Sequence, residues 1–141
     1  MSEENKALVR RFYEEVLNNG NFDVVDELSA ADFVDHNPPP GVGAGLEGVK
    51  QAIGMYRSAF PDLKIEVEEQ VAEGNLVVSR LSGSGTHTGE FMGIPPTGRR
   101  TEGVTTFDMI RIVDGKAVER WGVVDQASLM MQLGVMPQTG E

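Results

Sequence analysis

Two carboxylates and two histidines have surroundings that could support proton transfer. Asp125 follows the apolar run Trp121-Gly122-Val123-Val124 and precedes a helical pattern. A carboxyl group sheltered at the end of a buried strand beside a tryptophan loses hydration, which suits it to act as a general acid or base. The same position is also that of a helix N-cap, where a carboxylate accepts backbone N–H bonds and is shifted the other way. Both readings stand at the level of sequence. Counting back through Asp114-Gly115 as a two-residue turn places Trp121, Val123 and Asp125 on one face with Val104, Thr106 and Asp108, and a one-residue change of register would move them all. Asp108 is thus a second candidate carboxylate, with a structural hydrogen-bonding role as its alternative.

His36 and His87 are the two histidines, and neither has a paired spacing that would make a metal site. Each could donate a hydrogen bond to a substrate oxygen or carry a proton; each could equally be a turn or strand-end side chain. The segment from Gly89 to Arg99 sets Phe91 and Met92 among Gly and Pro residues, the composition of a connection that rims a pocket. It lacks the ending of a phosphate-binding loop. Tyr13 and Tyr56 lie on helical faces and belong to a core or to a site wall.

These side chains need elements to hold them. Leu8, Phe12, Tyr13, Val16 and Leu17 follow helical spacing, and the Asn18-Asn19-Gly20 stop ends that helix. A short helix with Phe22, Val25 and Leu28 inward comes next. Residues 31–37 then lead through Phe33 and Val34 to Asp35 and His36, an element that the pattern leaves untyped before the Pro38-Pro39-Pro40-Gly41 break. Val49, Ile53, Tyr56 and Phe60 mark a third helix, closed by Pro61. From Leu63 the period becomes two, giving a half-wet strand, a turn at Glu73-Gly74-Asn75 and a long strand from Leu76 to His87. Residues 104–113 and 116–124 flank Asp114-Gly115 as a hairpin, and Asp125 to Leu133 reads as a terminal helix. The order predicts a single α+β domain over residues 1–141, with N-terminal helices lying across a curved antiparallel sheet and enclosing a cavity.

Composition narrows the chemistry. The 141 residues suffice for one core, and the formal charge of -10 opposes binding to nucleic acid or anionic lipid. With no cysteine, disulfides, thiolate metal sites and a cysteine nucleophile are excluded. The charged N-terminus lacks a signal-peptide core and no apolar run reaches membrane-spanning length, so a cytoplasmic location is expected. Val and Ile residues on both faces of the sheet suggest a homodimer.

Several segments, taken in order, resemble the SnoaL-like polyketide cyclase family of the superfamily named for nuclear transport factor two. They are NKALVRRFYEEVLNNGNFDVVDEL at 5–28, FVDHNP at 33–38, GTHTGEFMGIPPTGRR at 85–100 and DGKAVERWGVVDQASLMMQLG at 114–134. The resemblance implies a cone-shaped α+β barrel, a dimer, and an intramolecular aldol closure that needs no metal or cofactor. It puts the family's acid/base aspartate on Asp125, with His36 and His87 in motifs lining the cavity. Tyr13, Tyr56, Phe91, Met92, Asp108 and Trp121 are expected to contact a hydrophobic, carbonyl-containing small molecule. A binding module without catalysis is the rival reading. A hydrolase is the third, and it would need an arginine between two carboxylates, with Arg80, Arg111, Asp108 and Asp125 as the available residues.

Overall fold

The computed structural model of the chain describes residues 2–136. Helix α1, Ser2–Arg11, continues through Phe12–Asn18 in a wider, π-type winding. Val9, Tyr13 and Val16 are buried along its inner side, with Leu8, Phe12 and Leu17 packed at the margins, as the spacing predicts. The widened turn lies where Tyr13 enters the interior, and such windings often accompany functional side chains. Gly20, at φ 74°, ends the segment in the left-handed conformation that glycine adopts freely.

Helix α2 (Asp23–Leu28), strand β1 (Ser29–Asp35) and helix α3 (Leu46–Ala59) complete the N-terminal half. Arg57 of α3 donates to the carbonyl oxygens of Leu17 (2.6 Å) and Asn18 (2.9 Å), satisfying acceptors that a helix end leaves open. The untyped residues 31–37 supply most of β1. Alternation along it buries Phe33 and Asp35 and exposes Val34 and His36.

Strands β2 (Lys64–Glu73), β3 (Leu76–Thr86), β4 (Arg100–Val113) and β5 (Lys116–Val124) follow, and helix α4 (Gln126–Gln132) ends the described chain. The sheet order is β1-β5-β4-β3-β2. Neighbours among β2 to β5 are antiparallel, whereas β1 lies parallel to β5. That parallel edge departs from the purely antiparallel sheet expected, because β1 pairs with a strand remote in sequence rather than through a hairpin. Register shifts interrupt all four strand pairings, and bulges of this kind bend and twist a sheet. The result is a curved, unclosed sheet with the N-terminal helices packed on its concave side.

One of these shifts decides which side chains face inward. Asp114 and Gly115, at φ 52° and 75°, form the predicted two-residue turn, and Ile112 pairs with Ala117. The next pair is Arg111 with Glu119, so Val118 is an extra residue in β5. Asp108 therefore lies opposite Gly122, and Met109 opposite Trp121. The uninterrupted count put Trp121 and Val123 on the face of Asp108; the bulge reverses this, turning Trp121 outward and Arg120 inward.

Candidate functional site

A cavity of about 400 Å³ opens between the helices and the concave face of the sheet. Its walls are largely apolar, with contributions from Phe12, Leu28, Phe33, Ile53, Phe60, Leu81, Val104 and Leu129. The charged residues among those lining it are Asp35, Asp108 and Arg120. All three come from strands that the sheet places side by side.

Arg120 bridges the two carboxylates. Its Nη1 donates to both oxygens of Asp35 at 3.1 Å, while Nε and Nη2 donate to Oδ1 of Asp108 at 3.2 and 2.8 Å. The Tyr13 hydroxyl donates to Oδ2 of Asp108 at 2.9 Å, and the Asn37 N–H donates to Oδ1 of Asp35 at 3.0 Å. The Asp35 and Asp108 side chains are only 8% and 9% exposed. Burial so deep is tolerable for ionised groups only when they are paired and hydrogen-bonded. Oδ2 of Asp35 and Oδ1 of Asp108 bond to Arg120 alone, but Oδ2 of Asp35 accepts one bond from it where Oδ1 of Asp108 accepts two, which leaves the Asp35 oxygen the less engaged.

The cluster shifts its own members. Burial disfavours the Arg120 cation, but Asp108 and Asp35 outweigh that effect and hold its pKa above the usual guanidinium value. Burial pushes the Tyr13 phenol well above its ordinary pKa, and the Asp108 carboxylate adds to the shift. Tyr13 therefore remains a neutral donor. Tyr56, also on the cavity wall, is raised by burial too, against an opposing hydrogen bond from Gln126.

Gly122 makes room for this arrangement. A Cβ there would lie 2.2 Å from Oδ1 of Asp108 and 2.3 Å from Nη2 of Arg120. Its N–H donates to Oδ1 of Asn37 at 3.0 Å, which ties the end of β1 to β5.

The expected site residues fall into separate groups. Tyr13, Tyr56, Met92 and Asp108 line the cavity; Phe91 is buried behind its wall, 5.1 Å from Tyr56 and 5.7 Å from Phe60 between ring centroids. Trp121 and His36 stack on one another on the opposite side of the sheet, 4.6 Å apart, where His36 Nε2 also meets Glu119 at 2.9 Å. His36 faces outward because it follows the inward Asp35 in the strand alternation. His87 is buried beneath residues 87–99, its Nδ1 accepting from the Thr97 N–H at 3.1 Å and its ring against Phe60. It is not among the cavity-lining residues.

Asp125 is exposed, and its carboxylate accepts from the Ser128 N–H at 3.1 Å as the N-cap of α4. The expected sheltering of this carboxyl group is not observed, because the bulge turns the end of β5 and the cap claims an oxygen. Of the arginines considered, Arg80 pairs with Glu69 at the surface and Arg111 with Glu119 on the outer face. The inward arginine is Arg120, which sequence reasoning missed, together with Asp35 and Asn37. Alternation from Phe33 does point Asp35 inward, a signal present in the sequence.

The fold and the contents of the cavity fit a known group. The model of the SnoaL-like polyketide cyclase family matches residues 7–133. The chain belongs to this family. It is 33% identical to nogalonic acid methyl ester cyclase of Streptomyces nogalater over 121 residues, 83% of this chain and 88% of that protein. To aklanonic acid methyl ester cyclase DnrD of Streptomyces peucetius it is likewise 33% identical, over 90% of this chain and 88% of the relative. Among solved structures, TsrD from Streptomyces laurentii superposes with a TM-score of 0.87 at 30% identity, covering 96% of this chain and 98% of that one. These SnoaL-like neighbours agree with the α+β cone described above. No described helix of this SnoaL-like chain is long and apolar enough to cross a membrane.

Replacing Gly122 by Ala should force the Asp108–Arg120 pair apart, because both ends are buried and bonded and cannot simply swing aside. We expect a loss of about 1–3 kcal/mol in chemical denaturation, the usual range for overpacking; wild-type stability would show that the pair can shift at no cost.

Proposed function

We propose that this SnoaL-like polyketide cyclase closes a ring in a hydrophobic, carbonyl-rich substrate by intramolecular aldol addition, using acid/base catalysis and no cofactor. The observation that supports this most is the Asp35–Arg120–Asp108 cluster on the wall of a largely apolar cavity. Asp35 Oδ2 removes a proton from a carbon between two carbonyl groups, where the substrate's own acidity lightens the task. The enolate carbon attacks a second carbonyl held close by the cavity walls, forming the C–C bond. Arg120 hydrogen-bonds the developing oxyanion, and the proton on Asp35 passes to the new alkoxide. No net proton is lost or gained.

In this reading the base lies in the cavity rather than at Asp125, and the methyl esters of nogalonic and aklanonic acid are the first substrates to try. Asp35→Asn should lower kcat on the order of 10²–10⁴-fold. Asp125→Asn should keep turnover within a few-fold and, as a change at a helix cap, cost at most about 1 kcal/mol of stability. Loss of turnover in folded Asp125→Asn, with Asp35→Asn unimpaired, would return the role to Asp125.

The arginine flanked by two carboxylates also favours a second reading, hydration of an epoxide. One carboxylate would take a proton from water as its oxygen attacks carbon, and the other, protonated, would release a proton to the opening oxygen. Styrene oxide in ¹⁸O-labelled water tests it. The cyclase reading expects no enzyme-dependent labelled diol.

We also propose a cytoplasmic homodimer, with no role for nucleic acid at a formal charge of -10. Phe107 and Val123 are cross-strand partners on the outer face, 46% and 65% exposed, beside the Trp121–His36 stack. Pairing of this face with a second copy would cover them. Sedimentation equilibrium should give a dimer for the wild type and a monomer for Val123→Glu; a monomeric wild type would dismiss the idea.

A further inference from the structure

The connection between β3 and β4 is held firmly at its base. Thr88 and Gly89 both donate to the Ala59 carbonyl oxygen at the end of α3, at 3.0 and 3.1 Å. A Cβ on Gly89 would lie 2.2 Å from the Ser58 carbonyl oxygen, so the strap and helix touch backbone to backbone. Phe91 is buried, and it exchanges backbone hydrogen bonds of 3.0 and 2.8 Å with Ile94 across a two-residue turn.

The tip of that turn breaks a local rule. Met92 and Gly93 both have positive φ, 49° and 84°. Such a turn favours Asn, Asp or Gly at its first position. The chain follows this preference at the β4–β5 turn, where Asp114 at φ 52° precedes Gly115. A long aliphatic side chain in the left-handed region has no such local justification, and departures of this kind concentrate at functional positions.

The surroundings of Met92 suggest what it does. On one side it lines the apolar cavity; on the other it lines an open groove on the outer side of α3 with Gln51, Gly54, Met55, Ser58 and Glu90. Met92 is the residue the two spaces share, and it is 43% exposed. Its side chain is unbranched and turns about three bonds, so it can clear a passage without moving the anchored backbone.

We propose that Met92 is the gate of the cavity. A flat, neutral, apolar substrate passes from the outer groove over its side chain, and the space left when that side chain turns aside sets the width admitted. This rests on the cavity being the substrate site.

The test is stopped-flow binding of 1-N-phenylnaphthylamine, a neutral apolar fluorophore, to the full chain and to Met92→Ala and Met92→Asn. Asn suits the turn and lacks the apolar reach, so at least this variant should fold with undiminished thermal stability. Association should rise on the order of tenfold, as for removal of a kinetic barrier, with dissociation rising at least as much because Met92 also lines the cavity. Unchanged rates in both variants, or faster dissociation alone with weaker binding, would overturn the gate while leaving the cavity reading intact. Failure of the fluorophore to bind the wild-type protein would remove the cavity reading, and the gate with it.

Discussion

Arg120 is a cation in a place that disfavours cations, and two carboxylates equally out of place keep it there. Each would carry a heavy desolvation penalty alone. Together they form a bonded set in which β1 supplies Asp35, β4 supplies Asp108 and β5 supplies Arg120. Tyr13 adds the first helical segment through its bond to Asp108. The cluster that gives the cavity its chemistry is therefore also a joint between three strands and a helix. Gly122 is the concession in the backbone that lets it close.

The same one-residue bulge at Val118 shapes both sides of β5. On the concave side it brings Arg120 and Gly122 beside Asp108. On the convex side it sets Trp121 against His36, with Arg111 5.8 Å from the centre of the indole and Glu119 bonded to both Arg111 and His36. An aromatic and a histidine expected in one pocket are instead stacked on each other on the opposite face. Strand parity explains the exchange, since a single inserted residue inverts every position beyond it.

Membership of the SnoaL-like family and the composition of this cavity are different kinds of information. The family match spans residues 7–133 and accounts for the cone and its hollow. A shared fold does not by itself say which side chains act, and the geometry here draws attention to Asp35 and Arg120 rather than to Asp125. The largely apolar walls and single charged cluster suit a substrate that is held by shape and met by charge at one end. Of residues 87–99 Met92 lines the cavity, with His87 under the strap as a packing and hydrogen-bonding anchor.

Local physics was legible in the sequence. The periodicity of residues 8–17 declared a helix, Asp114-Gly115 declared a hairpin, and the two-residue alternation beyond Leu63 declared strands, because each depends on neighbours a few positions apart. Lack of cysteine settled which thiol chemistries were excluded, and four motifs in order pointed to the family. What only the tertiary structure decided was the company each charged group keeps. Asp35 and Arg120 are 85 residues apart and meet through a parallel strand pairing that no hairpin announces. The bulge at Val118 carries no glycine or proline to mark it, so its effect on parity became visible only when β4 and β5 were paired. Whether a carboxylate is buried beside a guanidinium or spent on a helix cap is a property of the assembled sheet, and it is there that Asp35 and Asp125 part ways.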